Sequence, residues 1–195
     1  MDKAISKAEK RKDEIIRVAA KLFKQKGYSA ITMRDIAKAL DIKAASLYNH
    51  INSKQDLLKI IIISIAEEFT NRMQVISSSE KTSIEKLEQI ISLHVEIAYN
   101  NPYRMGVLNN DWMHLEEELE YYLELRNSYE NNFRNIIQSG IESNELINTN
   151  SEIALFSILS TLRSLYLWIP KKEDLKPEEL TKSLSQVLIS GIQNH

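Results

Sequence analysis

Three observations predict an all-α fold of about nine helices. Four glycines and three prolines in 195 residues leave little punctuation for the many turns of a β fold. Apolar residues recur at three- and four-residue spacing along most of the chain, the period of a helix with one buried face. Paired capping residues also stand where several of these stretches begin: Thr32 with Asp35, Ser53 with Asp56 and Thr82 with Glu85.

Taken in order, Ile15, Val18, Ala19, Leu22 and Phe23 give an amphipathic first helix from Glu9 to Lys26 with a basic outer face, stopped by Gly27. Thr32 caps a short second helix through Met33, Ile36, Ala37 and Leu40, and Asp41 and Ile42 interrupt it. A third short helix, Lys43 to about His50, turns Leu47 inward and Lys43, Ala44, Ser46, Tyr48 and Asn49 mostly outward. Ser53 opens a long fourth helix carrying Leu57, Ile61, Ile65 and Phe69. The fifth runs from Thr82 to near Asn100, and a brief sixth follows Pro102 to about Asn110. A long seventh is expected from Met113 to Asn144, with Gly140 inside it, and an eighth from Ser151 to Trp168 that is apolar on several faces. Pro170 ends the eighth, and Pro177 opens the ninth. The expected division is residues 1–52 and 53–195, with the fourth helix joining them.

Cysteine is absent, which removes disulfides, thiolate metal sites and cysteine nucleophiles and suits a reducing compartment. The charged N-terminus has no apolar secretory core, and the longest apolar run, around Ile60 to Ala66, falls short of a membrane span, so a cytoplasmic protein with no membrane partner is expected. The net charge of −2 conceals an asymmetry. Residues 1–55 hold 13 Lys and Arg against 6 Asp and Glu, and the remainder holds 12 against 21. A basic end on an acidic body suits a polyanion, because each cation that neutralises a phosphate releases a condensed counterion.

Residues 33–52 have what a helix-turn-helix requires. Ala37 is small enough for the two helices to cross closely, Ile36, Leu40, Ile42 and Leu47 supply a shared core, and Asp41 tolerates the left-handed turn. The runs Thr32-Met33-Arg34-Asp35-Ile36-Ala37, Ser46-Leu47-Tyr48-Asn49-His50-Ile51 and Ser53-Lys54-Gln55-Asp56-Leu57-Leu58 resemble the N-terminal module of the TetR family of transcriptional regulators. The resemblance implies that Thr32, Tyr48, His50 and Lys54 grip phosphates and that Lys43, Ala44, Ala45, Ser46 and Asn49 form the reading face. All four phosphate candidates carry suitable donors. Lys43 departs from the usual Ser or Thr, and Ile51 from the usual Phe.

The resemblance further implies a homodimer through the eighth and ninth helices, for which Leu155, Leu159, Leu162, Leu184, Leu188 and Ile192 have the required spacing, and a palindromic operator in double-stranded DNA. More loosely, the segment from Asn101-Pro102 to Trp112, with Arg163 and Trp168-Ile169-Pro170, is similar to the ligand domain of members that respond to acyl-coenzyme A thioesters. Tyr103, Trp112, Arg163, Tyr166 and Trp168 are the candidate effector residues. Arg163 in an otherwise apolar helix needs an anionic partner, which either a ligand or a neighbouring Glu can supply. No catalytic constellation, cofactor motif or metal-ligand spacing is present, and the Glu116 to Glu118 carboxylates read as a solvated face. A ligand-released repressor is therefore expected. The alternatives are a DNA-binding protein without inducer and, against the missing catalytic set, an all-α enzyme.

Overall fold

A computed structural model describes residues 7–172 and 174–193. Its helices are α1 (Lys7–Lys26), α2 (Met33–Ala39), α3 (Ala44–Tyr48), α4 (Lys54–Ser77), α5 (Ser83–Asn100), α6 (Pro102–Asn110), α7 (Leu119–Glu142), α8 (Ser151–Trp168) and α9 (Pro177–Ser190). Short 3-10 turns at Trp112–His114 and Ile169–Lys171 complete the set. Among the described residues there is no strand, only an isolated antiparallel bridge between Leu146 and Gln193.

Local chemistry sets most of the boundaries. Thr32 accepts the Asp35 N–H while the Asp35 carboxylate accepts the Thr32 N–H, and Thr82 and Glu85 repeat this reciprocal cap on α5. Asn150 caps α8 by accepting the Glu152 N–H at 2.9 Å. Gly27, with φ +82°, closes α1 by donating its N–H to the Phe23 carbonyl at 2.7 Å. The seventh helix begins at Leu119, six residues later than its apolar spacing predicts. Three adjacent carboxylates, Glu116 to Glu118, repel one another in a helical turn, and Leu115 is held extended and buried instead.

The chain forms two compact units. The first contains residues up to Ala66 together with Tyr103–Tyr122. Its α1 packs on α2 and α2 on α3, with Ile15, Phe23, Ile36 and Leu47 fully enclosed. Each such side chain removed from water contributes about 1.5–3 kcal/mol before the entropy of ordering is counted. The second unit contains Glu67–Pro102 and the chain from Leu123 onward. Its centre is α5, which packs against both α8 and α9 and is buried almost all round through Leu87, Ile90, Ile91, Leu93, His94, Val95 and Ile97. Gly140 on α7 is a close-approach position: a Cβ there would lie 2.8 Å from Ser83 Cβ and 2.7 Å from a Leu146 methyl.

Helix α8 alone, among the described residues and with the turn that follows it, is long and apolar enough by composition to cross a membrane. Its apolar side chains are instead largely core: Ala154, Leu155, Ile158, Leu159, Leu162, Leu165 and Tyr166 are buried. Burial on this face corrects one expectation. Leu155, Leu159 and Leu162 are already enclosed by the chain itself, which leaves them no area for a partner. The exposed apolar residues of α8 lie on its other side, Ile153 at 65 %, Phe156 at 40 % and Leu167 at 49 %. On α9, Leu184 and Leu188 are half-buried, Val187 is exposed, and the Ile192 carbonyl beyond it accepts the Ile147 N–H at 2.8 Å.

Candidate nucleic-acid interface

The α2–α3 corner is fixed from within. Asp41 takes φ +53°, and the Ile42 N–H reaches back to the Ala37 carbonyl at 3.0 Å, so the chain reverses within three residues of α2. Ala37 is buried at the crossing, and Leu47 is wholly enclosed. With Leu47 pinned, the helical period forces Ala45, Ser46, Tyr48 and Asn49 to the outside, where all four are exposed with Lys43. Tyr48 is 52 % exposed although it is a large aromatic on a short helix. A phenol displayed in this way suits a contact with an external oxygen anion.

Two expected reading or gripping residues have other duties. Ala44 is half-buried and lines a shallow groove with Arg34, Ala37, Lys38, Asp41, Ile42 and Lys43. Thr32 spends both its N–H and its hydroxyl on Asp35, at 2.9 and 2.6 Å, and thereby sets the start of α2. The same groove reveals two cations that the motif reading missed, Arg34 and Lys38. They stand four residues apart and exposed on α2, and that i, i+4 spacing was the available signal. Three cations against the single carboxylate of Asp41 make the groove beside the reading helix electropositive.

Lys54 is tied into the unit. Its ammonium donates to the Tyr28 carbonyl at 3.1 Å and lies 4.1 Å from the centre of the Tyr28 ring. Tyr28 is a node that local sequence gives no reason to suspect. Its N–H donates to the Asp111 carboxylate at 3.2 Å, its phenol donates to the Gln55 amide oxygen at 2.5 Å, and its ring stacks on His114. The Gln55 amide in turn donates to the His114 carbonyl at 2.8 Å, and Lys59 pairs with Glu118. Burial, assisted by Glu116 and Asp111, raises the Tyr28 phenol, so it remains a donor. Burial likewise raises Asp111.

The five candidate effector residues divide between the units. Tyr103 and Trp112 belong to the first, where the ring of Tyr103 faces the ammonium groups of Lys21 and Lys24 and Trp112 stacks on Tyr122. Arg163, Tyr166 and Trp168 belong to the second. Arg163 donates to Glu130 at 2.7 Å, and Arg126 donates to the same carboxylate at 3.1 Å. Burial would raise Glu130, but these hydrogen bonds and charges outweigh it and hold the carboxyl ionised. Beside them lies a buried polar pair that sequence reading passed over: His94 Nε2 is 2.8 Å from the Tyr129 hydroxyl, and His94 Nδ1 has no partner among the described residues. Phe69 packs on both rings.

Burial, with Arg163 adding to it, depresses His94 to about 3, so the imidazole is neutral in the folded protein. In the unfolded chain it titrates near 6.5. Between those values the unfolded state binds the extra proton, so acid favours unfolding, and no contribution is expected above the upper value. Stability is expected to fall by up to about 1.4 kcal/mol per pH unit from this group as pH drops from about 6 toward 3. Thermal melts of the wild type and of His94→Gln, which cannot titrate, check this. A matching acid slope in both would assign the loss to other groups.

Comparison with known proteins agrees with the geometry. The family model described as bacterial regulatory proteins, tetR family, matches residues 15–61, and that described as the tetracyclin repressor-like C-terminal domain matches residues 80–192. The chain is 22% identical over 185 residues to the HTH-type transcriptional repressor KstR2 of Rhodococcus jostii strain RHA1, covering 93% of this chain and 91% of that protein. The structure of the ketosteroid transcriptional regulator KstR2 of Mycobacterium tuberculosis superposes with a TM-score of 0.88 at 19% identity, over 95% of this chain and 96% of that one. AibR, solved in complex with isovaleryl coenzyme A and operator DNA, superposes with a TM-score of 0.76 at 18% identity, over 91% and 97%. With both of its parts matched, the second alone over more than half of its length, the chain belongs to the TetR family of bacterial transcriptional regulators.

Proposed function

We propose that the protein is a dimeric, cytoplasmic repressor that binds a palindromic operator and is released from it by an acyl-coenzyme A or similar apolar effector. The observation that carries the DNA-binding part is the exposed row Lys43, Ala45, Ser46, Tyr48 and Asn49 on a helix locked by its buried Leu47. In this reading residues 1–52 engage DNA, with the recognition helix in the major groove, and residues 53–195 dimerise and sense. His50 and the free donors of Lys54 and Tyr48 hold the sugar–phosphate backbone, while Lys43, Ser46 and Asn49 face base edges.

The dimer is formed through the exposed side of α8, by Ile153, Phe156 and Leu167, together with Val187, Leu184 and Leu188 of α9. Residues apolar yet exposed on helices of an otherwise well-filled unit support that reading. The effector is held by Arg163 with Tyr166 and Trp168, its anionic part competing with Glu130 for the guanidinium. Tyr103 and Trp112 respond on the segment that Tyr28 and Gln55 fasten beside the helix-turn-helix. AibR, a fold relative that holds a coenzyme A thioester together with operator DNA, supports the effector class.

Helix α4 is the mechanical link, since it starts at Lys54 and continues for 24 residues. A ligand that favours one position of its far end over another shifts the population of DNA-competent spacings. Thermodynamic linkage makes the effect reciprocal. Titration of acyl-coenzyme A species of different chain length, with and without operator, tests the reading: operator is expected to weaken thioester binding by the same factor as thioester weakens operator binding. Thioester binding that ignores operator would contradict it, and operator binding that no thioester alters would leave a repressor of another effector class.

A further inference from the structure

Helix α1 extends two turns further toward the N-terminus than its packing requires. Its first buried residue is Ile15, and residues 7–14 are all exposed or half-exposed. The family match also begins at residue 15, so these two turns lie outside it. They are helical because Lys7-Ala8-Glu9-Lys10-Arg11-Lys12 contains only strong helix formers, and an exposed helical segment that encloses nothing needs another function.

One face of this segment lines a groove with His50, the residue just past the reading helix. Lys7, Lys10, Arg11 and Glu14, at i, i+3, i+4 and i+7 spacing, form one wall together with Ala8. Among the described residues the one carboxylate lining the groove, Glu14, is paired with Arg11. Ala8 is small and leaves the space open. The remaining charge is positive, contributed by Lys7 and Lys10 with the outer guanidinium edge of Arg11, while the acidic residues Glu9 and Asp13 are not part of the lining. His50 follows Tyr48 and Asn49 directly in the chain, so the groove adjoins the C-terminal end of α3.

We propose that this groove is a second phosphate seat, which takes the sugar–phosphate backbone of operator DNA flanking the bases read by α3. The proposal rests on the DNA-binding reading and goes beyond it, because it predicts a footprint longer than the helix-turn-helix alone would cover. Cations here add affinity without sequence preference, since backbone contacts carry no base information. They also steepen the salt dependence, by roughly 0.9 in the log–log slope for each phosphate neutralised.

The test uses the full chain with Lys7→Gln, Lys10→Gln and Arg11→Gln combined, all at solvent-accessible helical positions, and thermal melting checks that the fold is kept. Two duplexes carry the same selected operator, one ending at the last base pair the reading helices contact and one extended by about a turn on each side. On the extended duplex the variant is expected to bind on the order of 10- to 100-fold more weakly at ~0.15 M salt, with a slope shallower by up to about 3 per protomer. On the short duplex it should match the wild type. Equal loss on both duplexes, or an unchanged slope on the extended one, would overturn the seat. Failure of the wild type to bind either duplex would overturn the DNA-binding reading and the seat together, so the two failures are distinguishable.

Discussion

Replacing Ile153 and Phe156 together by Asp is expected to convert the protein to monomers and to lower operator affinity by on the order of 10²- to 10⁴-fold. Both side chains are exposed on the same side of α8, so a charge there meets water in the monomer and costs little folding stability. In a dimer it would face apolar surface without a partner, which is strongly unfavourable. Two half-sites read by one dimer bind with an effective concentration that two separate monomers lack, and this is the source of the large factor. Sedimentation at several concentrations and operator titration check the two parts. The same substitution at Leu155, buried in the chain's own core, should unfold the second unit instead. A dimer that survives the Ile153 and Phe156 changes would move the interface elsewhere.

The second large effect concerns the reading face. Asn49→Ala or Ser46→Ala is expected to lower affinity for the selected operator while leaving random DNA unaffected, because each good bidentate base contact is worth about 1–3 kcal/mol of discrimination. Tyr48→Phe should weaken both DNAs by a similar factor, since it removes a donor to the backbone. Arg34→Ala and Lys38→Ala should resemble Tyr48→Phe, because both flank the groove beside α3 and neither lies on the exposed row of that helix. If Asn49 and Tyr48 variants gave the same ratio of specific to random binding, the division between base and backbone contacts would be wrong.

Much of this was legible in the sequence because it is local. The reciprocal caps at Thr32 and Thr82, the turn at Asp41 and the inward Leu47 depend on residues within a few positions, and each appears in the structure as its pattern predicts. Helical periodicity says which residues share a face, but on α8 two faces are apolar. It therefore could not tell that Leu155, Leu159 and Leu162 serve the chain's own core while Ile153, Phe156 and Leu167 stay outside. The late start of α7 depends on tertiary burial of Leu115 and on the pairing of Glu118 with Lys59.

The candidate site divides in the same way. The exposed row of α3 follows from a local repeat, whereas Thr32 and Lys54 match phosphate-gripping positions by motif alone. In the structure Thr32 is committed to its cap, and Lys54 spends one of its three donors on the Tyr28 carbonyl. Tyr28 itself gathers Asp111, 83 positions away, and no pattern within a helix can announce such a partner. Arg163 illustrates an ambiguity that sequence leaves open, since the anion it requires could come from a ligand or a neighbouring carboxylate, and within the chain it is supplied by Glu130.

The basic N-terminal unit is expected to bind operator DNA through phosphate neutralisation combined with base reading. The most direct test is to select bound fragments from genomic DNA with the purified protein and then measure the affinity of the recovered site across a range of salt. The expected result is an inverted-repeat site and a log–log slope that is linear and steep, on the order of −0.9 for every phosphate contacted by the two protomers. A protein that enriches no fragment, or whose affinity for the enriched fragment is indifferent to salt, would contradict it.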